Sequence, residues 1–176
     1  LISEIIKGQN FCRRPNLIDN ELVPYLQFAI EVSKEAGELN RTSFKYPKEI
    51  CKKRDDSLVT ETDKQSETLV RERIAKNFPE HGILGEEFGL TESDSDYFWC
   101  IDPLDGTSNF VRGIPIFAVS IALFYKNEPV VGVVYDPMSN NLFSAAKGNG
   151  ASLNNVPIRA TNKPLQSKLL FAVQSD

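Results

Sequence analysis

Apolar residues first recur along this chain with the spacing of a helix. Between residues 21 and 40 they fall at every third or fourth position, with Glu31, Lys34 and Glu35 on other faces. This periodicity predicts an amphipathic helix over 21–40, with Pro24 near its start, where a missing N–H costs little. The positions that we assign to the apolar face are Leu22, Leu26, Ala29, Ile30, Ser33, Ala36, Gly37 and Leu39.

A second helix is predicted where the segment Thr62-Asp63-Lys64-Gln65 has the form of a capping box. It ends before Pro79, and its inward positions are Leu69, Val70, Ile74 and Phe78. Between the two helices, residues 41–57 are polar, and we expect a loop there with one short strand.

The rest of the chain reads mainly as strands. Short apolar runs predict strands at 82–86 and 97–102, separated by an acidic linker from Thr91 to Asp96. Two longer runs enclose Lys126-Asn127-Glu128 and predict a hairpin. Helices that precede an antiparallel meander indicate an α+β fold. The later strands are predicted at 116–125, 129–136, 142–146 and 151–159.

The pattern near the end of the sequence predicts a boundary between two domains. We expect residues 1–164 to form an α+β domain that binds metal and phosphate. Leu169 to Val173 looks like the first strand of a further α/β unit, so we assign residues 165–176 to the start of a C-terminal domain that is otherwise absent.

Composition excludes some classes of function. The 176 residues are 41% hydrophobic and carry a net charge of −4, without an obvious basic face for nucleic acid. No apolar run approaches the ~20 residues of a membrane span. The three cysteines show neither a metal spacing nor a disulfide framework, which favours a reducing compartment. We therefore expect a cytoplasmic protein, or one in an organelle after removal of a targeting peptide.

The candidate chemistry lies where two predicted strands end in acid. One apolar run leads to Glu86 and Glu87, and the other leads to Asp102 and Asp105. Two strands that both stop at carboxylates suggest one acidic pocket rich in oxygen ligands. A hard divalent cation such as Mg²⁺ needs a pocket of this kind.

The turn after residue 101 is built to aim these oxygens at one point. Pro103 fixes its own φ and Gly106 permits a positive φ, so Asp102, Asp105 and the Leu104 carbonyl can converge. Thr107 follows, and we expect it to cap a short helix whose free N–H groups favour a phosphate. Metal ions beside a phosphate cradle suit hydrolysis of a phosphate ester.

Each motif alone also has an ordinary structural explanation. Asp-Pro and Asp-Gly are common turn signals, Glu86 would be an exposed charge, and Asp63 an acid favoured by a helix dipole. What favours a site is the conjunction of several acidic element ends with a hydroxyl beside them. His81, the single histidine, precedes a glycine in a turn, so we expect a surface role for it rather than a catalytic one.

Three motifs together resemble the inositol monophosphatase family. They match that family in order and spacing, and the similarity covers about residues 20–176, including the central strands around Ala118-Val119-Ser120 and 131–137. The three motifs are Val59-Thr60-Glu61-Thr62-Asp63, Gly85-Glu86-Glu87, and Asp102-Pro103-Leu104-Asp105-Gly106-Thr107-Ser108-Asn109-Phe110.

The resemblance implies a Mg²⁺-dependent, lithium-sensitive phosphatase with a layered αβαβα architecture and a mostly antiparallel sheet, usually a homodimer. It implies that Glu86, Asp102 and the Leu104 carbonyl hold a first metal, and that Asp105 serves a second metal while Asp102 is shared between them. The whole hypothesis requires Glu86, Asp63, Asp102 and Asp105 to converge around magnesium.

The resemblance also assigns roles beside the metals. Glu86 and Thr107 would orient the attacking water, with Asp63 supporting Thr107. Gly106 and Thr107 would donate backbone N–H groups to the phosphate, so the substrate would lie against residues 104–107. Lys52 would sit in a loop that closes over the site.

Three points stay open at this stage. The substrate implied is inositol monophosphate, with histidinol phosphate, fructose bisphosphate or a nucleotide 3′-phosphate as alternatives. Family members continue for roughly another hundred residues, which would supply a further aspartate to the second metal. We therefore expect this chain alone to be poorly active. The alternative from another class is a metal-binding or interaction module without turnover.

Overall fold

The computed structural model describes residues 19–45, 50–52 and 58–160. Within them, a 3-10 turn at Asp19–Leu22 leads into helix α1 (Val23–Ser43), followed by α2 (Glu61–Asn77) and the short α3 (Thr107–Val111). The strands are β1 (Ile50–Lys52), β2 (Leu58–Thr60), β3 (Gly82–Gly85), β4 (Gly89–Thr91), β5 (Tyr97–Asp105), β6 (Ala118–Tyr125), β7 (Glu128–Asp136), β8 (Asn141–Ala146), β9 (Gly150–Leu153) and β10 (Val156–Ile158).

The main sheet has eight strands in the order β10-β9-β8-β7-β6-β5-β3-β4. From β5 to β10 it is an antiparallel meander, β3 runs parallel to β5, and β4 pairs antiparallel with β3. Strands β1 and β2 form a separate two-stranded ribbon. The predicted α+β fold with a mostly antiparallel sheet is confirmed.

Helices α1 and α2 pack together and cover one face of this sheet. The strands supply alternate residues to that face: in β6, Val119, Ile121 and Leu123 are buried. Burial of each such side chain contributes about 1.5–3 kcal/mol, so the helix–sheet interface is the main source of stability. Trp99 and Ile101 bring β5 into the same core.

The other sheet face is only half covered in the described part of the chain. Phe98 of β5 stacks on Phe124 of β6, with their ring centroids 4.7 Å apart. Val134 and Phe143 on the neighbouring strands are each 42% exposed. A second, smaller apolar cluster of Leu104, Phe110 and Phe117, with Phe44 against it, packs α3 beside the end of β5.

Several element boundaries differ from the sequence predictions. The capping box of α2 uses Thr60 as the N-cap and Asp63 as the third helical residue, so the helix begins two residues earlier than Thr62 indicates. The expected linker after residue 90 begins as part of β4, because Gly89 (φ 67°) turns the chain back onto β3.

The predicted last strand at 151–159 is instead a hairpin. Asn154 and Asn155 have φ values of 49° and 66°, which is the two-residue turn that joins antiparallel strands most tightly. The segment Leu169 to Val173 and the domain assignment at 165–176 lie outside the described residues, so both stay predictions.

His81 is a packed residue, which corrects the expected surface role. Its ring lies almost parallel between Phe78 and Tyr97, with centroid distances of 5.1 and 5.0 Å. Its Nδ1 accepts a hydrogen bond of 3.1 Å from Nε1 of Trp99. Burial lowers the pKa of His81, which keeps the acceptor nitrogen unprotonated near neutral pH.

Across the described residues, none of the helices combines the length and apolar character that crossing a bilayer requires.

Candidate active site

The candidate site begins at an irregularity in β5. Asp102 pairs with Ser120, but the next paired residues are Asp105 and Ala118, so Pro103 and Leu104 together oppose the single Val119. This extra residue is a β-bulge, which bends a strand and redirects its side chains. The bulge places both aspartates and the Leu104 carbonyl at the rim of the sheet.

Two buried polar side chains hold the bulge. Asn40 of α1 donates a 2.7 Å hydrogen bond from Nδ2 to the Pro103 carbonyl, and Ser66 of α2 donates to the Asn40 Oδ1. Asn40 and Ser66 are both fully buried. A bulge takes backbone groups out of the sheet ladder, and these bonds satisfy the Pro103 carbonyl. Neither Asn40 nor Ser66 was predicted from the sequence as a site residue, although Asn40 lies one turn after Ala36, a residue of the predicted apolar face.

Gly106 makes the turn into α3. Its φ is 98°, and a Cβ there would lie 3.1 Å from the Ile116 carbonyl oxygen, so both the conformation and the space favour glycine. Gly106 is also the residue that caps α3. Thr107 was expected to cap this helix, and the structure gives its hydroxyl a different partner.

That partner is Asp63. Thr107 Oγ1 donates to Asp63 Oδ1 at 2.7 Å and lies 3.3 Å from the Leu104 carbonyl oxygen. The other carboxylate oxygen of Asp63 accepts the Thr60 N–H at 2.7 Å and the Thr60 hydroxyl. Asp63 is 4% exposed, so one buried carboxylate both caps α2 and fixes the Thr107 hydroxyl.

Asp102 lies among negative charges. Burial, first of all, and then the charges of Glu86 and Asp105 raise its pKa to about 8. A side-chain hydrogen bond with Glu86 raises the pKa of Asp102 further, while the Leu104 N–H, which donates to Asp102 Oδ1 at 3.3 Å, lowers it. The ends of β3 and β5 therefore bring Glu86 and Asp102 into contact. Asp105 is close enough for its charge to raise the pKa of Asp102.

The arrangement is less complete than four converging carboxylates. Within residues 19–45, 50–52 and 58–160, no group of three or more His, Cys, Asp or Glu side chains is placed to hold a metal ion. Asp63 acts through Thr107, and Lys52 ends β1 with its side chain outside the described part. The assignments of metal and substrate ligands stay predictions.

The donor set nevertheless suits a hard cation. It consists of carboxylate oxygens and one carbonyl, the ligands that Mg²⁺ prefers. Burial and the charges of Glu86 and Asp105 raise the pKa of Asp102 to about 8, so a positive charge at this position would relieve repulsion. By this test, the residues present fit Mg²⁺.

Comparison with known proteins gives consistent results. A family model described as "Inositol monophosphatase family" matches residues 21–176. Nus factor SuhB of Pasteurella multocida (strain Pm70) is 44% identical over 143 residues, covering 80% of this chain and 54% of the relative. An inositol monophosphatase of Mesembryanthemum crystallinum is 42% identical over 146 residues, covering 81% of this chain and 54% of the relative.

Solved structures agree with these sequence matches. The structure of inositol monophosphatase from Anabaena (Nostoc) sp. PCC 7120 superimposes with a TM-score of 0.70 at 40% identity. That match covers 81% of this chain and 52% of the other. The chain spans about half the length of the relatives it matches.

Proposed function

Because this chain belongs to the inositol monophosphatase family, we propose that it forms the metal- and phosphate-binding part of a Mg²⁺-dependent phosphatase. The substrate is a small phosphate monoester, with inositol monophosphate as our first choice. The observation that carries the proposal is the 2.7 Å bond from Thr107 to Asp63, 44 positions earlier in the chain, beside the Glu86–Asp102 pair.

In this proposal Glu86, Asp102 and the Leu104 carbonyl would hold a first Mg²⁺. Asp105 would serve a second Mg²⁺, with Asp102 as a ligand common to both. Bound metal supplies charge neutralisation at the phosphate and lowers the pKa of water. A cation held there would require Asp102 to be ionised, because metal ligands must be deprotonated.

Thr107 orients water through its lone pairs. A hydroxyl has one hydrogen to donate and two lone pairs to accept with, and the 2.7 Å bond commits the hydrogen to Asp63. The lone pairs of Oγ1 are then available to accept a hydrogen bond from water. Together with Glu86, Thr107 thereby directs the oxygen of that water at the phosphorus, which is a gain in orientation.

The phosphate lies at the start of α3 in this proposal. Gly106 and Thr107 offer backbone N–H groups there, and glycine lets the backbone approach a ligand closely. Lys52, at the end of β1, would add a positive charge over the phosphate. Residues 104–107 then form the substrate-binding segment.

Replacing Asp102 with Asn tests the proposal directly. In the protein at its natural length, we expect this change to lower Mg²⁺-dependent phosphate release by roughly 100-fold or more, because a metal ligand contributes several kcal/mol. Asp94→Asn is the matched control, since Asp94 is exposed in the loop before β5. Undiminished turnover by the Asp102 variant would contradict the assignment of Asp102 as a ligand.

A substrate panel ranks the alternatives. We propose to compare inositol monophosphate, histidinol phosphate, fructose bisphosphate and a nucleotide 3′-phosphate at equal concentrations. The highest kcat/KM on an inositol monophosphate is the expected result. A clear preference for another member of the panel keeps the phosphatase and replaces the substrate.

Four further properties belong to the same proposal. We propose inhibition by lithium, a homodimer, a cytoplasmic location and no nucleic-acid partner, the last supported by the net charge of −4. Enzyme assays with LiCl and the molar mass in solution test the first two.

A second candidate is a binding module without turnover. It is favoured by one observation, that a relative at 44% identity is named Nus factor SuhB. Mg²⁺ binding without hydrolysis of any panel substrate would support this candidate against the phosphatase.

A further inference from the structure

An ion pair between the buried Glu67 and the half-buried Arg71 contacts the turn that carries the candidate metal ligand Glu86. Glu67 of α2 is fully buried, one helical turn after Asp63. Its Oε1 accepts a 2.7 Å bond from Arg71 Nε and a 3.1 Å bond from the Phe88 N–H. Its Oε2 accepts a 2.7 Å bond from the Glu87 N–H. No candidate role described above uses this carboxylate.

Arg71 extends the contact to the next strand. Its Nη2 donates to the Gly89 carbonyl, and its Nη1 donates to Thr91 Oγ1 at 2.9 Å. Its guanidinium lies 5.8 Å from the centroid of the Phe88 ring. Glu67 and Arg71 therefore hold the whole turn between β3 and β4 against α2.

Gly85 shows how closely this turn is held. A Cβ at Gly85 would lie 2.0 Å from Glu67 Oε1 and 2.8 Å from Arg71 Nη2. Only glycine lets the strand end approach the carboxylate. Glu86 thus stands between a residue in close contact with Glu67 and a residue whose N–H is bonded to Glu67.

We propose that Glu67, with Arg71, is a positioning residue that fixes Glu86 against Asp102 for metal binding. The inference rests on the proposed function, in which Glu86 is a ligand. Asp63 and Glu67 lie one turn apart on one face of α2. This helix therefore fixes the position of the Thr107 hydroxyl relative to the turn that carries Glu86. Outer groups that orient ligands typically change metal affinity by about 10–100-fold when they are mutated.

Glutamine cannot replace Glu67. All three groups around the carboxylate are donors, and an amide offers one acceptor oxygen with an NH₂ that would face donors. Glu67→Gln keeps the side-chain volume and breaks the hold on the turn. Glu72→Gln is the matched control, because Glu72 is an exposed carboxylate on the same helix.

The experiment is a calorimetric titration with Mg²⁺ alone on the protein at its natural length. We expect Glu67→Gln to raise the dissociation constant for Mg²⁺ by about tenfold or more. We expect Glu72→Gln to leave this constant unchanged. In the phosphatase assay, the half-saturating Mg²⁺ concentration should rise by the same factor. The kcat at saturating Mg²⁺ should stay within about threefold, because Glu67 does not touch the reacting atoms.

An unchanged Mg²⁺ affinity in a folded Glu67→Gln variant would overturn the proposal. If that variant shows no cooperative melting transition, Arg71→Lys decides, because lysine keeps the charge and loses the fork that joins Glu67 to Gly89 and Thr91. Arg71→Lys should shift the Mg²⁺ affinity in the same direction by a smaller factor. No shift in Arg71→Lys would equally overturn the proposal.

Failure of the proposed function gives a different result. A wild-type protein that binds Mg²⁺ but hydrolyses nothing would refute the phosphatase, while the affinity ratio of Glu67→Gln to wild type would still decide the positioning role. A wild-type protein that binds no Mg²⁺ would refute both.

Discussion

Replacing Asp102 with Asn should make the metal-free protein lose less stability as the pH rises. In the wild-type protein, burial and the charges of Glu86 and Asp105 raise the pKa of Asp102 from 3.8 to about 8. Between about pH 4 and pH 8 the unfolded chain has lost this proton and the folded chain retains it. The free energy of unfolding therefore falls as the pH rises through this window and levels off above it. Asparagine has no proton to lose, so its variant lacks this slope.

The size of the effect follows from the same shift. Linkage gives about 1.4 kcal/mol per pH unit well inside the window, so the wild type should lose about 2 kcal/mol between pH 6 and pH 8 from this residue. For a chain of this size that corresponds to a fall of roughly 4–8 °C in the melting temperature. Thermal melts of wild type and Asp102→Asn in EDTA at both pH values measure the difference between the two slopes.

The control and the metal arm sharpen this test. Asp94→Asn removes an exposed aspartate and should follow the wild-type slope. Adding Mg²⁺ should stabilise the wild type more at pH 8 than at pH 6, because the cation competes with the proton, and should stabilise the Asp102 variant less. Equal slopes for wild type and Asp102→Asn in EDTA would show that Asp102 is ionised across the window and would refute the reasoning.

Three further predictions follow from other contacts. Thr107→Ala should lower kcat by about 100-fold at saturating Mg²⁺, because in the proposed function the hydroxyl orients water. Thr107→Ser keeps the hydroxyl and should keep most of the activity. Equal rates for Thr107→Ala and wild type in a phosphate-release assay would contradict this role. Asn40→Ala should lower the free energy of unfolding in urea by about 1–3 kcal/mol, since the Pro103 carbonyl loses its buried donor; an unchanged midpoint would show that the bulge does not need Asn40. His81→Phe should cost about 1–3 kcal/mol, because the Trp99 N–H is left unpaired. Because burial lowers the pKa of His81, the wild type should also lose stability as the pH falls below about 6.5, and this loss should be absent in His81→Phe melts; a shared acid slope would contradict the buried hydrogen bond.

The pattern along the chain was sufficient for the main elements. Periodic apolar positions predicted α1 and the strands of the meander, because one face of each must be buried and burial imposes the period. The ends of helices and strands were harder to predict from the sequence where they depend on a single hydrogen bond. Thr62 was predicted as the cap of α2, but the N-cap is Thr60, whose N–H donates a hydrogen bond to the Asp63 carboxylate.

Part of the candidate site could also be predicted from the sequence pattern. Acidic residues at the ends of β3 and β5 pointed to one pocket, because two strands that pair in parallel end at the same edge. Asn40, Ser66 and Glu67 were missed, since each bonds a group at least 20 positions away in the sequence: Asn40 and Glu67 bond backbone groups, and Ser66 bonds the Asn40 side chain. Each is a polar residue on a buried helix face, and that signal alone does not say what the residue bonds to.

The two bonded carboxylates of α2 have a consequence for how the site can be altered. Asp63 fastens α3 and Glu67 fastens the hairpin of β3 and β4, so any tilt or slide of this helix carries both attachments with it. Val70 and Ile74 of α2 are buried in the core. Substitutions at either position should therefore change the Mg²⁺ affinity of the proposed site without altering an oxygen ligand. Because α2 supports both segments of the candidate site, its packing against the core is a means of engineering that site.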